Sequence, residues 1–201
     1  PQRPSAVVRE HVMTGWSKTP IDLLYDTENE GVLKTFDRVA SSTGVANIHR
    51  AVANAQDVFP AYIEYVYALR HKMSLDPADR ELAICCVLER HDGEYELPPH
   101  RRFALTLGVT EEQLANVRNP EARHLFSDRQ RAILDFAERI AADPSERDRF
   151  GPDRLEQFLD NRERVELGLV LALYMAMSHF TSIFDIEVQN ANDFRVPTKP
   201  G

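Results

Sequence analysis

The sequence predicts an all-α fold, and three observations carry that expectation. Apolar residues recur at helical spacing in the long segments, as in Val32, Phe36 and Val39, or Ile133, Phe136 and Ile140. Helix start signals punctuate the chain, the clearest being Asp76-Pro77 and Thr110-Glu111-Glu112-Gln113. No convincing alternation of apolar and polar residues reads as a strand.

Taken in order, residues 1–27 hold Pro1, Pro4, Pro20 and Trp16 in polar surroundings and are expected to form an N-terminal arm. Trp16 and Leu23-Leu24-Tyr25 suggest that part of it is buried. A helix is predicted over 29–41, closed by Gly44, and a short one from about Asn47 to Asn54. Asp57 is then expected to cap a helix running to about Lys72, with Pro60 in its first turn. Asp76 and Pro77 open the next, which directs Leu82, Ala83, Cys86 and Val87 inward and ends at His91-Asp92-Gly93. Adjacent prolines cannot occupy a helix interior, so Pro98 and Pro99 place the start of the following helix near Leu97. Gly108 ends it. Leu82, Cys86, Phe103 and Leu107 are expected to hold these two helices together. Helices follow from Thr110 to about Val117, Ser127 to Ala142, Pro152 to Leu159 and Arg162 to Phe184. The last is nearly all apolar from Leu167 to Met177, which predicts a core or a subunit interface. The expected organisation is an arm (1–27), a first helical half (28–118), a second half packing on it (119–190) and a tail (191–201). An echo of Asp79-Arg80-Glu81-Leu82-Ala83-Ile84 in Asp128-Arg129-Gln130-Arg131-Ala132-Ile133 is compatible with a degenerate duplication.

The 201 residues suffice for a sizeable core, and 43% hydrophobic with 28% charged residues is ordinary for a soluble protein. The net charge is −8, with no Lys/Arg block, so neither nucleic acid nor an anionic membrane is an expected partner. No apolar run reads as long enough to span a bilayer, and no basic region followed by an apolar core marks a secretory signal. The cysteines are adjacent, Cys85 and Cys86. Neighbours on a helix point about 100° apart, so a mutual bridge is not expected and a reducing cytoplasm is favoured.

The chemistry concentrates between Glu81 and His100. On composition alone Glu81 reads as a solvated glutamate paired with an arginine, with Arg70 and Arg80 nearby in sequence. Glu96 precedes His100 by four residues, so the two can meet on one helix face, where a carboxylate would fix the imidazole tautomer. Tyr95 could donate to a substrate oxygen or pack on the core. Tyr174, in the apolar last helix, needs a hydroxyl partner in a pocket or on the backbone. Cys85 shares a helix face with Glu81 and is either a pocket residue or core. His91 and His179 read as helix-end residues. Glu81, Glu96, His100 and His91 are ligand types that suit iron or zinc, but nothing in their spacing demands a metal.

The pattern of Arg80-Glu81-Leu82-Ala83-Ile84, then Gly93-Glu94-Tyr95-Glu96, then His100, Ala104, Gly108 and Thr110-Glu111-Glu112 resembles the carboxymuconolactone decarboxylase and AhpD-like superfamily. In that family a Glu is followed twelve residues later by a Cys-x-x-Cys pair, and a His comes four residues after the second Cys. Glu81 and His100 match the Glu and the His; Gly93 and Glu96 stand where the two cysteines would be. Glu94-Tyr95-Glu96 and His100 look like a subgroup with Tyr-Glu-Trp before the His, with Leu97 in place of the Trp. The resemblance implies an AhpD-like helical bundle with a central antiparallel helix pair, Glu81, Glu96 and His100 in a shared pocket, no cofactor or metal, and a homo-oligomer (dimer, trimer or hexamer). It also implies a decarboxylase-like lyase acting on a small carboxylated or enolisable compound. Glu81 is expected to be the acid and Glu96 to orient His100. Two alternatives stay open: an alkylhydroperoxidase-like antioxidant, whose two thiols are missing here, and a non-catalytic helical oligomer that binds a small molecule.

Overall fold

The computed structural model describes residues 18–143, 145 and 154–188. Most of the expected arm, with Trp16, and the whole expected tail lie outside these residues. Every regular element among the described residues is a helix. In order they are α1 (Glu30–Ser42), α2 (Asn47–Val52), α3 (Phe59–His71), α4 (Pro77–Arg90), α5 (Leu97–Thr106), α6 (Glu111–Ala115), a 3₁₀ turn (Pro120–Leu125), α7 (Asp128–Ala141), a 3₁₀ turn (Leu155–Gln157) and α8 (Asn161–Ile183).

The starts follow the local chemistry. Asp76 accepts from the backbone N–H groups of Ala78 and Asp79 at 2.9 and 3.1 Å, and Pro77 loses nothing at the first helical position. Thr110 with Gln113 and Asp160 with Glu163 close reciprocal capping boxes. Gln130, which the sequence echo pairs with Glu81, closes the capping box of α7 with Ser127. Asp57 does not cap α3. Residue 58 is already in the αR region, no side chain caps it, and α3 grows out of the tight turns that end α2. The 3₁₀ turn at Pro120–Leu125 has no counterpart in the sequence reading; the Asn119 carboxamide starts it by accepting from Glu121 N–H at 3.1 Å.

The buried residues form two clusters. The smaller joins Val32, Phe36 and Val39 of α1 to Phe59 and Ile63 of α3. The larger is centred on α4, whose side chains from Asp79 to Leu88 are all buried, with α5, α7 and α8 packed around it. Leu82 and Cys86 sit in this core as expected. Phe103 and Leu107 do not: Ala104 is the buried residue of α5, and Phe103 turns partly outward beneath the Arg70 guanidinium, 5.3 Å from its ring centroid. A small residue at 104 lets α5 approach α4 closely, which leaves the larger side chains at the rim.

Polar clasps fix the arrangement. Arg129 bonds Asp79 at 2.7 Å, Glu163 at 2.9 Å and the Phe158 carbonyl at 2.6 Å, tying α7 to α4 and α8. Glu166 of α8 accepts from Ser74 and Leu75 N–H, anchoring the α3–α4 connection. The α4–α5 connection turns at Asp92, with φ of 51°, and closes on Gly93, whose N–H donates to the Leu88 carbonyl at 2.8 Å. A Cβ at residue 93 would lie 2.7 Å from Leu88 Cδ2, so any side chain there, a cysteine included, would require the Leu88 side chain to move.

Helix α8 departs from expectation in two ways. It buries one face through Leu167, Val170 and Leu171, yet Val165 and Leu169 are 61% and 44% exposed. By length and composition it is also apolar enough to cross a membrane, contrary to the reading of the sequence, where Arg162, Glu163, Arg164 and Glu166 at its start masked the run that follows.

Candidate functional site

Helices α4 and α5 bring Glu81 and His100 together. His100 Nδ1 lies 2.6 Å from Glu81 Oε2. Glu81 is not the solvated residue that composition suggests: it is 2% exposed. Its other oxygen, Oε1, accepts from Arg80 Nε at 3.0 Å, and Arg80 is itself buried, with a further bond from Nη1 to the Arg70 carbonyl at 2.9 Å. Burial of a carboxylate is tolerated only with such charge-assisted partners. Arg80, Glu81 and His100 therefore form a buried chain that begins at the backbone of α3 and ends at an imidazole.

His100 lines a cavity of about 410 Å³ walled by α2, α3, α5 and α8. Glu81 does not reach it; Glu81 stands behind His100 beside a void of about 10 Å³. Glu96 does line the cavity, with Oε2 4.0 Å from His100 Nε2. Burial pushes the Glu96 carboxyl above its usual range, against the opposing pull of His100 and Arg70. Glu81 thus makes the short contact to the imidazole, and Glu96 is the desolvated carboxyl that lines the cavity. The i,i+4 spacing of Glu96 and His100 suggested the closest pairing, but α4 supplies a nearer partner from nineteen residues away.

Tyr174 packs edge-on against His100, with ring centroids 4.4 Å apart. Burial, with the nearby Glu96 and Glu81 charges, raises its phenol, so it stays protonated. Tyr95 lines the cavity and accepts a hydrogen bond from Ile48 N–H at 3.1 Å; burial pushes its phenol up to about 12. Cys85 is placed away from these groups. It is fully buried in the α4 core, it does not line the cavity, and burial pushes its thiol up to about 12. Cys86 is equally buried, its thiol donates to Glu138 Oε1 at 3.5 Å, and burial raises its pKa well above the ordinary thiol value. His91 caps the C-terminus of α4 and meets His179 with ring centroids 5.2 Å apart. Among the described residues no group of three or more His, Cys, Asp or Glu is arranged to hold a metal ion.

Sequence reasoning missed several cavity residues. His49, Tyr62 and Met177 line it, and so do Arg70 and Arg102. The Tyr62 hydroxyl donates to Met177 Sδ at 3.2 Å, joining α3 to α8 across the cavity wall. The available signal for His49 was weak: it is the third residue of a six-residue helix, where a side chain can reach back to the capping backbone.

The helical architecture and the Glu81–His100 pattern now meet independent comparisons. Residues 56–139 match the model of the carboxymuconolactone decarboxylase family, and this segment carries Glu81, Glu96 and His100. The family recognised from that pattern is thereby the one this segment shows, in a form without the Cys-x-x-Cys pair. The crystal structure of an uncharacterized peroxidase-related protein from Silicibacter sp. TM1040 superposes with a TM-score of 0.68 at 16% identity, covering 92% of this chain and 97% of that chain. At that identity the likeness establishes the common AhpD-like helical fold. No curated protein matches the chain.

Proposed function

We propose that the protein is a carboxymuconolactone decarboxylase-like enzyme that performs cofactor-free acid–base chemistry, a decarboxylation or related C–C cleavage or isomerisation, on a small carboxylated or enolisable compound. One observation carries this reading: a buried carboxylate holds His100 at Nδ1, so the neutral imidazole presents Nε2 on the side of the cavity that holds Glu96. A neutral imidazole has one donor and one acceptor nitrogen. Donation from Nδ1 to Glu81 makes Nε2 the base.

In the decarboxylation the bond from carbon to the carboxylate breaks, its electron pair passes to the adjacent carbonyl as an enolate, and carbon dioxide leaves. The enolate carbon then needs a proton. Glu96, kept protonated to higher pH by burial, supplies it directly or through His100. Tyr174, uncharged for the same physical reason, adds a donor near the developing negative charge. Arg70 and Arg102 give the cavity a cationic side suited to a carboxylate.

Thiol peroxidase chemistry requires a reachable thiolate, and both cysteines are sealed in the core with raised pKa values. Reduced cysteines also suit a cytoplasmic setting. The test is carbon dioxide release or proton–deuterium exchange measured over a panel of small β-keto acids and carboxylated lactones. Turnover of a panel member that depends on His100 supports the reading; turnover untouched by His100→Ala ends it.

A further inference from the structure

The cavity contains a second imidazole whose chemistry differs from that of His100. His49, on the first turn of α2, lines the same space. Its Nδ1 receives the backbone N–H of Ala46 at 2.9 Å. A backbone N–H can only donate, so Nδ1 must carry a lone pair, and the neutral ring must bear its proton on Nε2. The Ala46 bond thus sets the tautomer, opposite to the one Glu81 imposes on His100. No hydrogen bond within the described residues uses His49 Nε2, and this nitrogen is not among the buried polar atoms sealed away without a partner. It is an accessible donor on a residue that lines the cavity.

We propose that His49 is a substrate-contacting residue: its Nε2–H, fixed as a donor by Ala46, binds the carbonyl oxygen of the substrate and the enolate oxygen formed from it. This deepens the acid–base reading of the cavity by naming the group that holds the oxygen while His100 and Glu96 handle the proton. Two features make His49 suited to the task. The groups around it favour neutrality: burial first, then the guanidinium groups of Arg50 on its own helix and Arg70 on α3, lower its pKa to about 4. It therefore remains an uncharged donor across the physiological range. The hydrogen bond to Ala46 and the packing of α2 hold the ring in place before substrate arrives, so little reorganisation accompanies the growth of negative charge. Ligand recognition in this scheme needs an sp² oxygen with an acidic or carboxyl-bearing carbon beside it.

The probe is 4-nitrophenolate, a stable oxyanion on an apolar ring, used with the full-length wild-type protein labelled with ¹⁵N-histidine. The expected result is a His49 signal in the Nε2–H tautomer that does not titrate between pH 5.5 and 8, and an Nε2–H resonance that moves downfield on saturable binding of the probe. His49→Gln retains an acceptor for the Ala46 N–H and still presents N–H groups, whereas His49→Ala retains neither. A single hydrogen bond is worth about three- to tenfold in affinity, so His49→Ala should bind the probe about that much more weakly and His49→Gln should lie nearer the wild type. A Nδ1–H tautomer, a His49 resonance unmoved by bound probe, or no saturable binding by the wild-type protein overturns the proposal. The wild-type spectrum decides even if His49→Ala fails to fold. Failure of the acid–base reading is separable: His100→Ala would then leave turnover unchanged while the His49 resonance still responded to the probe.

Discussion

Glu81 and His100 stand nineteen residues apart in the chain and 2.6 Å apart in space. The contact fixes the imidazole and at the same time completes the burial of a carboxylate whose other oxygen belongs to Arg80. The two partners should therefore respond differently to mutation. His100→Ala removes the cavity-facing base and leaves the Arg80–Glu81 pair intact, so turnover of an identified substrate should fall by about 10²–10⁴-fold with little change in helical CD. Glu81→Gln should lower turnover similarly and also strand the Arg80 guanidinium, a loss of about 3–5 kcal/mol for a broken buried pair. Steady-state kinetics and urea denaturation measured together separate the two effects. Full activity in both variants would make these residues structural.

Glu96 gives the protein a specific pH dependence. Its folded-state pKa is raised above the ordinary 4.5 because burial disfavours the carboxylate. The folded state therefore holds this proton where the unfolded chain has released it. The contribution to stability is fully present below the unfolded pKa and declines as pH rises through the folded one. Glu96→Gln cannot ionise, and Glu96 makes no side-chain capping bond to α5 that the change would sacrifice. Relative to wild type, the variant should gain stability as pH rises from about 4.5 toward neutrality. Urea midpoints compared across that window provide the check; a constant difference between the two proteins would show that Glu96 does not titrate differently on folding.

The cysteines should be silent in the folded protein. Cys85 and Cys86 are fully buried, and burial disfavours the thiolate of each. An aromatic disulfide reagent should react with neither on the timescale of a free surface thiol, and with both after denaturation. Hydrogen peroxide should not be consumed in the presence of a dithiol reductant. Rapid labelling of the native protein, or thiol-dependent peroxide loss, would put the alternative alkylhydroperoxidase reading ahead of the acid–base one.

Much of the fold was legible because its signals are local. Asp76-Pro77 and Thr110 with Gln113 act within one helical turn, and each places a start where the structure has it. Asp57 misled because the chain enters α3 through turns already in helical conformation, leaving no cap for a side chain to fill. The candidate site was legible as a set of residues but not as a set of parts. Glu96 and His100 advertise themselves by i,i+4 spacing, whereas the 2.6 Å bond from Glu81 exists only after α5 has packed on α4. Cys85 shares a helix face with Glu81, yet it is fully buried in the core centred on α4. His49 carried no pattern of its own, and its relation to the cavity depends on where α2 comes to rest.

The exposed side of α8 leads to the last prediction. Val165, Leu169, Ala172 and Ala176 are all exposed and follow one another at intervals of four, three and four residues. That spacing matches the one along which two helices pack, with small residues that would permit close approach. In a monomer Val165 and Leu169 would remain 61% and 44% exposed, as would Val58 just before α3 and Tyr65 on α3, at 58% and 39%. Covering such apolar surface is favourable by roughly 25 cal/mol per Å² before the cost of association is counted. A second copy of the chain supplies the same stripe, so a homo-oligomer is the expected state. Light scattering at micromolar concentration should give a multiple of 23.0 kDa. Leu169→Lys together with Val165→Lys should shift the mass toward the monomer without loss of helical CD, because neither side chain belongs to the core. A wild-type mass of one chain would leave the stripe unpaired and remove this assignment.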